Sequence, residues 1–454
     1  MTDDRRLQTS DLRRRTSDVR RLPAVSRLRS YATHRWLGTA LFLLLMAGCS
    51  QALEERPVQA AEWVQRRAAQ AASALLKKYL AYAPDDRAAR NLRVRTLVRA
   101  RAVDEALEEY QALWKIQGNP RTDLLSVILT AYLVEEVEAG GSSRLRAAPL
   151  VAHQEDPALR PLLYDLASKG DRAARIVALD ALSRAGTDST ISFLASFLAD
   201  PDPYIRAQAA RGLGQLGADT ARSALDRLTR DEWDVVRFAA AEGLVRLGDR
   251  KALAPLVEAL KSPQVSIRMR AAEVLGALAV QEAVPTLLEA LNDADRYVRL
   301  YAAQALVELG RTEGLTVLHL GMQHPSLSVR LYAAEVFSNL QDETPGPWLR
   351  RVVADPALPK GVRLNAAWIL GRLDDPSGVP HIREFLHDAD PHIRLRAAWT
   401  LGEIGDPHAA PVLRSALRDQ ERAVRIHATW ALNRLLRHKA RGETVRVAFG
   451  PALL

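Results

Sequence analysis

The stretch PYIRAQAARGLGQLG at 203–217 recurs along the chain, and this recurrence decides the fold. Clear copies are DVVRFAAAEGLVRLG (234–248), RYVRLYAAQALVELG (296–310) and PHIRLRAAWTLGEIG (391–405). Each copy carries an arginine at the same place, and the full set of these anchor arginines is Arg175, Arg206, Arg237, Arg268, Arg299, Arg330, Arg363, Arg394 and Arg425. Successive anchors are 31 residues apart, except for 33 between Arg330 and Arg363. A fixed period of this length is typical of stacked structural repeats.

Each repeat predicts two helices, and positions are counted here from its anchor arginine. The second helix begins near the anchor and has apolar residues at −1, +3, +4, +7 and +10, which is a helical stripe. Alanine at +3 and +4 predicts a close approach between helices. Glycines follow the second helix and predict left-handed caps at Gly217, Gly248, Gly310 and Gly405. Aspartates four residues before the anchor predict N-caps at Asp202, Asp295 and Asp390. First helices should begin near Pro255, Pro285, Pro380 and Pro411.

These units resemble HEAT repeats, especially the short variety named from phycobilin lyases, over about 170 to 438. The resemblance implies an all-α, right-handed α-solenoid of about nine helix-pair repeats. It also implies a ladder in which Asp and Arg of successive repeats bond to each other. Aspartates lie six residues before most anchors, but the units of Arg268 and Arg363 lack one. We therefore expect weaker ladder contacts at these two arginines.

A different helical region precedes the repeats. The stretches ALLKKYLAYAPDD (74–86) and EALEEYQALWKIQGNP (105–120) are alike, and Ala106, Tyr110 and Pro120 resemble the second helix of a tetratricopeptide repeat. The sequence EAGGSS (138–143) reads as a linker. The predicted segments are a leader (1–48), a tetratricopeptide-like segment (49–140), a linker with a cap (141–168), the HEAT solenoid (169–438) and a tail (439–454).

The only cysteine of the chain, Cys49, follows an apolar run in LFLLLMAGCS (41–50). One thiol can form neither an internal disulfide nor a thiolate metal site. The run is shorter than the roughly 20 residues that cross a bilayer, and small residues precede the cysteine, as before a signal-peptide cleavage point. Met46-Ala47-Gly48-Cys49 resembles the lipobox of bacterial lipoproteins, which implies a lipid anchor at Cys49. Ser50 resembles a sorting signal for the outer membrane, on its periplasmic side.

The charge of the chain argues against nucleic acid as a partner. Its formal net charge is +9, but residues 1 to 48 hold 10 Arg against 4 Asp. The remainder carries 53 Lys and Arg against 50 Asp and Glu. A nearly balanced body gives no electrostatic footprint for a phosphate backbone.

A candidate binding face follows from helix geometry, since positions +2, +5 and +9 point away from the core stripe. Position +5 is polar in six repeats and becomes Trp368, Trp399 and Trp430 in the last three. These rings predict an aromatic strip for a protein partner, or for a glycan, because exposed tryptophan is rare and enriched in binding hot spots. The strip extends to four more residues: Tyr301, Tyr332, Arg372 and Arg434. The alternatives are that the rings pack on one another and on arginines, or that a capping tail buries them.

The loop HDADPH (387–392) offers His387, Asp388, Asp390 and His392 as metal ligands, but its aspartates hold the turn and cap positions of other repeats. Cap roles are therefore favoured, and no metal or cofactor is expected. The chain has no GxxxxGK[ST], GxSxG or HExxH motif. It also lacks the His-Glu pairs by which the HEAT-like deoxyhypusine hydroxylases hold iron.

The sequence thus predicts a lipid-anchored scaffold at the bacterial cell envelope that binds a protein partner and is not an enzyme. Two alternatives stay open. One is glycan or peptidoglycan binding by the tryptophans. The other is lyase-like or cofactor-handling chemistry on a HEAT scaffold.

Overall fold

A computed structural model describes residues 57–118, 121–152, 159–185 and 187–441. These residues form 23 α-helices joined by short turns and 3-10 helices, with no β-strand among them. The all-α fold class is therefore confirmed. The chain divides into two compact units, one ending at Gly118 and the other beginning at Asn119. Among the described residues, no helix has the length and apolar character that crossing a bilayer requires.

The first unit contains helices α1 (Pro57–Tyr82), α2 (Arg87–Arg99) and α3 (Val103–Gln117). Each packs on the next, and Val94, Ala106 and Tyr110 are buried between them. Asp86 caps α2 by accepting from the N–H groups of Ala88 and Ala89. The resemblance of this unit to a tetratricopeptide repeat stays a prediction.

The second unit opens with α4 (Thr122–Ala139) and α5 (Gly141–Ala152), followed by the repeats. The first helices of the nine repeats are α6 (Arg160–Lys169), α8 (Asp188–Ser196), α10 (Arg222–Leu228), α12 (Leu253–Glu258), α14 (Val284–Ala290), α16 (Glu313–Met322), α18 (Gly346–Ala354), α20 (Val379–Phe385) and α22 (Ala410–Ala416). The second helices are α7 (Arg172–Ala185), α9 (Pro203–Gln215), α11 (Asp234–Arg246), α13 (Val265–Ala277), α15 (Arg296–Glu308), α17 (Leu327–Asn339), α19 (Lys360–Arg372), α21 (Pro391–Ile404) and α23 (Arg422–Arg441).

The predicted segment boundaries differ from these helices. The expected linker over 138–143 holds only Gly140 outside a helix, and α4 belongs to the second unit rather than to the tetratricopeptide-like segment. The first repeat already begins with α6, ahead of the expected start at 169. The leader with Cys49, and the tail beyond residue 441, lie outside the described residues.

The local signals at helix ends are confirmed. Asp202 accepts from the N–H of Tyr204, and Asp295 and Asp390 cap their helices in the same way. The four predicted capping glycines have φ between 66° and 84°, in the left-handed region. Non-glycine residues hold the same position in three repeats, and these are Ala279, Gln341 and Asp374, with φ of 52° to 57°.

Small residues let consecutive second helices pack closely. Ala209 and Ala210, at +3 and +4, are fully buried. A Cβ added at Gly214 of α9 would lie 2.4 Å from the Cα of Gly243 in α11, so the two backbones touch. Consecutive second helices pack more closely on one another than consecutive first helices do. The repeats therefore curve with their second helices on the inside.

The arginine ladder is present within the described residues at Arg175, Arg206, Arg268 and Arg394, each of which bonds an aspartate of the next repeat. Arg206 donates from Nε and Nη2 to Asp231, at 3.0 and 2.9 Å, and from Nη1 to the carbonyl of Asp200 at 2.8 Å. The expectation for Arg268 is wrong, because Arg268 bonds Asp293 of the following repeat in the same two-pronged way. The anchors whose following repeat lacks this aspartate are Arg237, Arg299 and Arg330, because Ser262, His324 and Ala357 stand at that position.

Arg363 has no ladder carboxylate among the described residues, as expected. Its Nε donates to the carbonyl of Val353 at 2.7 Å, and its guanidinium lies 4.9 Å from the centre of the Phe385 ring. The aspartate of the next repeat, Asp388, pairs instead with Lys360.

The two ends of the second unit meet, which the sequence did not predict. Helix α23 packs on α4. The Ser126 hydroxyl lies 2.8 Å from Oδ1 of Asn433, across 307 positions of sequence. The guanidinium of Arg422 pairs with Glu135 and Glu136 and lies 5.2 Å from the Tyr132 ring centre. The repeat array therefore closes on itself through α4.

Candidate partner-binding face

Side chains at +2, +5 and +9 of the second helices lie on one face, as predicted, and we call it the inner face. Most of these side chains are half-buried rather than open to solvent. The curvature of the array brings neighbouring second helices together on this side, so their polar groups bond to each other.

A polar network runs along the inner face across the first four repeats. Gln208 at +2 donates to Asp180 at 3.3 Å and accepts from Arg211 at 2.8 Å. Arg211 in turn donates from Nε to Oε2 of Glu242 at 3.1 Å. Arg270 of the fourth repeat reaches the same carboxylate at 3.0 Å. The network therefore links side chains from four successive helices.

Glu242 is the centre of this network and has no solvent exposure. It also accepts from Arg246 at 2.9 Å, so three arginines converge on one carboxylate. Burial alone would raise the pKa of Glu242, but the charges of Arg270, Arg211 and Arg246 hold it below its usual value. A second carboxylate, Glu273, binds Arg270 at 2.9 Å. The side chains of this part of the inner face therefore hold one another in place.

Two tyrosines and an acid form a second cluster. The rings of Tyr301 and Tyr332 lie 5.2 Å apart, and Tyr297 meets Tyr332 edge-on at 5.4 Å. Burial raises the pKa of both Tyr301 and Tyr332. One turn after Tyr332, burial raises the pKa of the Glu335 carboxyl, and the charge of Arg372 only partly opposes this. A desolvated acid beside polar rings is a site type associated with function.

The three tryptophans do not form an exposed strip. Trp430 has no exposure, Trp368 retains 3 %, and Trp399 is half-buried. The guanidinium of Arg372 lies 5.1 Å from the Trp368 ring centre, and that of Arg434 lies 5.6 Å from the Trp430 ring centre. The packing alternative, in which arginines stack on these rings, is therefore confirmed for two of the three. The exposed surface that a glycan would need is absent at Trp368 and Trp430.

The aspartates of the HDADPH loop (387–392) have a structural role at the start of α21. Asp390 caps α21 through the N–H of His392 at 2.8 Å, and Asp388 accepts from the N–H of Asp390 at 3.0 Å. Within the described ranges, no group of three or more His, Cys, Asp or Glu side chains is placed to hold a metal ion.

Stacked helix pairs, joined by arginine–aspartate bonds between successive repeats, are the defining features of an α-solenoid protein. The HEAT-repeat family model matches residues 191–276, 284–360 and 357–433, which together exceed half of the chain. The chain belongs to the HEAT-repeat family. A model described as the PBS lyase HEAT-like repeat matches residues 267–293. A comparison with curated proteins finds no match.

Several solved structures are similar in fold. The CpcE–CpcF complex of phycocyanin lyase from Nostoc sp. PCC7120 is 20% identical, with a TM-score of 0.35 over 56% of this chain and 97% of that one. Human deoxyhypusine hydroxylase with glycerol is 22% identical, with a TM-score of 0.28 over 53% and 94%. Kap95p, in a structure with RanGDP, is 15% identical, with a TM-score of 0.32 over 80% and 58%.

The prediction that the chain is not an enzyme is contradicted by these comparisons. The match over 267–293 is to the PBS lyase HEAT-like repeat, a family named from an enzyme. The PBS lyase match extends over the whole of 267–293, so a short catalytic motif such as GxSxG does not reveal it. The non-catalytic assignment is withdrawn.

Proposed function

We propose that the chain is a HEAT-repeat scaffold that binds a protein partner along the inner face of its second unit. The observation that carries this proposal is the continuous polar network of Asp180, Gln208, Arg211, Glu242 and Arg270 on successive helices. Side chains held in place by each other lose little freedom on binding, and preorganisation of this kind favours association. Arginine and tyrosine, which are enriched at interface cores, both lie on this face.

A blocking substitution tests the binding face. Ala277 is an exposed alanine at +9 of α13, and Ala195 is an exposed alanine on the first helix α8. We expect Ala277→Trp to abolish capture of a crosslinked partner from membranes, because the added ring fills the inner face. Ala195→Trp is the matched control and should retain the partner. Equal capture by both variants, with unchanged helicity, would exclude the inner face as the binding surface.

We further propose that Cys49 carries a lipid that holds the protein at the bacterial cell envelope, at the outer membrane. The support is the apolar run and the small residues before Cys49, together with Ser50 after it. Metabolic labelling with an alkyne analogue of palmitate should label the wild type but not Cys49→Ala. Ser50→Asp should move the protein from the outer to the inner membrane fraction. Labelling of Cys49→Ala at the wild-type level would refute the anchor.

A lyase-type activity on the bound partner is the second candidate. It is favoured by the raised pKa of Glu335 beside the tyrosine pair, because addition and elimination require a positioned acid and base. Arg270 and Glu273 lie on α13, the second helix two repeats before that of Tyr332, and both fall within the match to the PBS lyase HEAT-like repeat. The intact mass of a captured partner, incubated with wild type or with Glu335→Gln, should change only with the wild type. An identical mass after both incubations would remove this candidate.

A further inference from the structure

Arg396 lacks the carboxylate partner that Arg211, Arg270 and Arg434 have on the inner face. It lies at +2 of α21 and is half-buried. Its Nη2 donates to Oδ1 of Asn365, at +2 of the preceding second helix, over 2.8 Å. Among the described residues no acid pairs with it. The comparable Arg270, at +2 four repeats earlier, holds both Glu242 and Glu273.

Two acidic groups on the helix of Arg396 and on the turn before it are already engaged. Glu403, on the same helix as Arg396, accepts from Arg434 at 2.7 Å. Asp388, in the turn before that helix, pairs with Lys360. Burial lowers the pKa of Arg396, and no nearby carboxylate opposes this effect. Burial of the guanidinium therefore carries a desolvation cost that no paired anion offsets.

The end of the guanidinium lies against Gly361 of α19. A Cβ at Gly361 would lie 2.9 Å from Nη1 of Arg396, so any larger residue would displace this end of the side chain. One turn after Arg396 on the same helix stands Trp399, the half-buried member of the tryptophan row. On the following second helix, α23, the side chain at +2 is His427. Burial lowers the pKa of His427 to about 4, so it is neutral at physiological pH.

We propose that Arg396 and Asn365 form a carboxylate-binding site on the inner face, in which Trp399 receives the apolar body that carries the carboxylate. A guanidinium has five N–H donors in a planar fork, and only one bonds Asn365, so a carboxylate can take two of those that remain. The proposal deepens the proposed function, and rests on it, because the partner would carry the carboxylate as an acidic side chain or a chain terminus.

The test uses purified protein and small anions, so it does not depend on capture of the partner. Benzoate is titrated while tryptophan fluorescence is followed, with acetate and inorganic phosphate as parallel arms. We expect benzoate to bind the wild type best, because its ring reaches Trp399. Arg396→Gln should bind benzoate at least tenfold more weakly, since charge-assisted hydrogen bonds are worth about 1.5–3 kcal/mol. Arg250→Gln, an exposed arginine on a turn before α12, is the control.

Asn365→Asp gives a second readout that a purely structural role would not produce. The new carboxylate would accept from Arg396 in the place of the amide oxygen, so benzoate binding should fall at least tenfold while the melting temperature rises. Asn292→Asp, at an exposed site, should change neither. The proposal is overturned if Arg396→Gln binds benzoate as the wild type does, or if Asn365→Asp leaves binding unchanged. Preference for phosphate over both carboxylates would also overturn it.

The two proposals can fail separately. Loss of the partner in Ala277→Trp with no benzoate binding would remove the carboxylate site and leave the inner face as the binding surface. Benzoate binding with full partner capture by Ala277→Trp would leave the carboxylate site and remove the proposed partner face.

Discussion

Replacing Glu242 by glutamine tests whether the inner-face network stabilises the repeats. The carboxylate has no exposure and lies 2.9 to 3.1 Å from nitrogens of Arg211, Arg246 and Arg270. Glutamine keeps the shape and one acceptor oxygen but removes the charge. Of the three arginines, only Arg270 then keeps a carboxylate of the network, which is Glu273. Breaking a buried ion pair from one side costs about 3–5 kcal/mol, and we expect the lower end of this range.

The measurement is urea unfolding followed by far-UV circular dichroism, with hydrogen exchange of α9, α11 and α13, because repeat arrays can unfold in parts. Glu289→Gln is the matched control, since Glu289 pairs with Lys261 at 3.6 Å with 68% and 56% of the side chains exposed. That change should cost less than about 1 kcal/mol. A loss at Glu242 no larger than at Glu289 would refute the reasoning.

The same carboxylate predicts a pH dependence. The arginines lower the pKa of Glu242 below its unfolded-state value, which is about 4.3. Its stabilising contribution is therefore complete above the unfolded-state pKa and is lost as the pH falls through the folded-state pKa. Wild-type stability should drop on acidification below about pH 4, and the drop should be smaller in Glu242→Gln.

Three further predictions follow from backbone contacts and from the closure of the array. Gly214→Ala should destabilise by about 1–3 kcal/mol in urea unfolding, because the new Cβ meets the backbone of Gly243. Gly346→Ala, where no neighbour lies closer than 3.7 Å, should be near neutral. Ala279→Gly should raise the melting temperature, because alanine at a φ of 52° carries a cost of about 1–2 kcal/mol that glycine avoids. Arg422→Gln should speed hydrogen exchange in α4, because it removes the ion pairs that join α4 to α23.

Much of the fold could be predicted because its signals are local. A capping aspartate or a left-handed glycine acts within one turn of its own position, so Asp202 and Gly217 could be assigned from the sequence alone. The buried stripe was also correct, since Ala209 and Leu213 follow from the period of a single helix. The left-handed Ala279 was missed because no glycine marks it.

Contacts between repeats were harder to predict. An aspartate six residues before an anchor belongs to the same repeat in sequence, but it binds the anchor of the preceding repeat. The direction of the ladder therefore decides which arginines lack an aspartate partner, and the sequence alone led to Arg268 instead of Arg237, Arg299 and Arg330. Closure depends on residues as distant as Ser126 and Asn433, and no periodic pattern connects them.

The failure of the tryptophan strip has the same origin. The angle of +5 on its own helix places it opposite the core stripe, and this suggested an exposed ring. Because the array curves with the second helices inside and its ends meet, side chains at +5 are buried by neighbouring helices instead. A polar side chain at such a position bonds to another group of the array, or the cost of its desolvation is not compensated. Glu242 pairs with three arginines, whereas Arg396 bonds only an amide, so the array compensates the burial of the first charge and not that of the second.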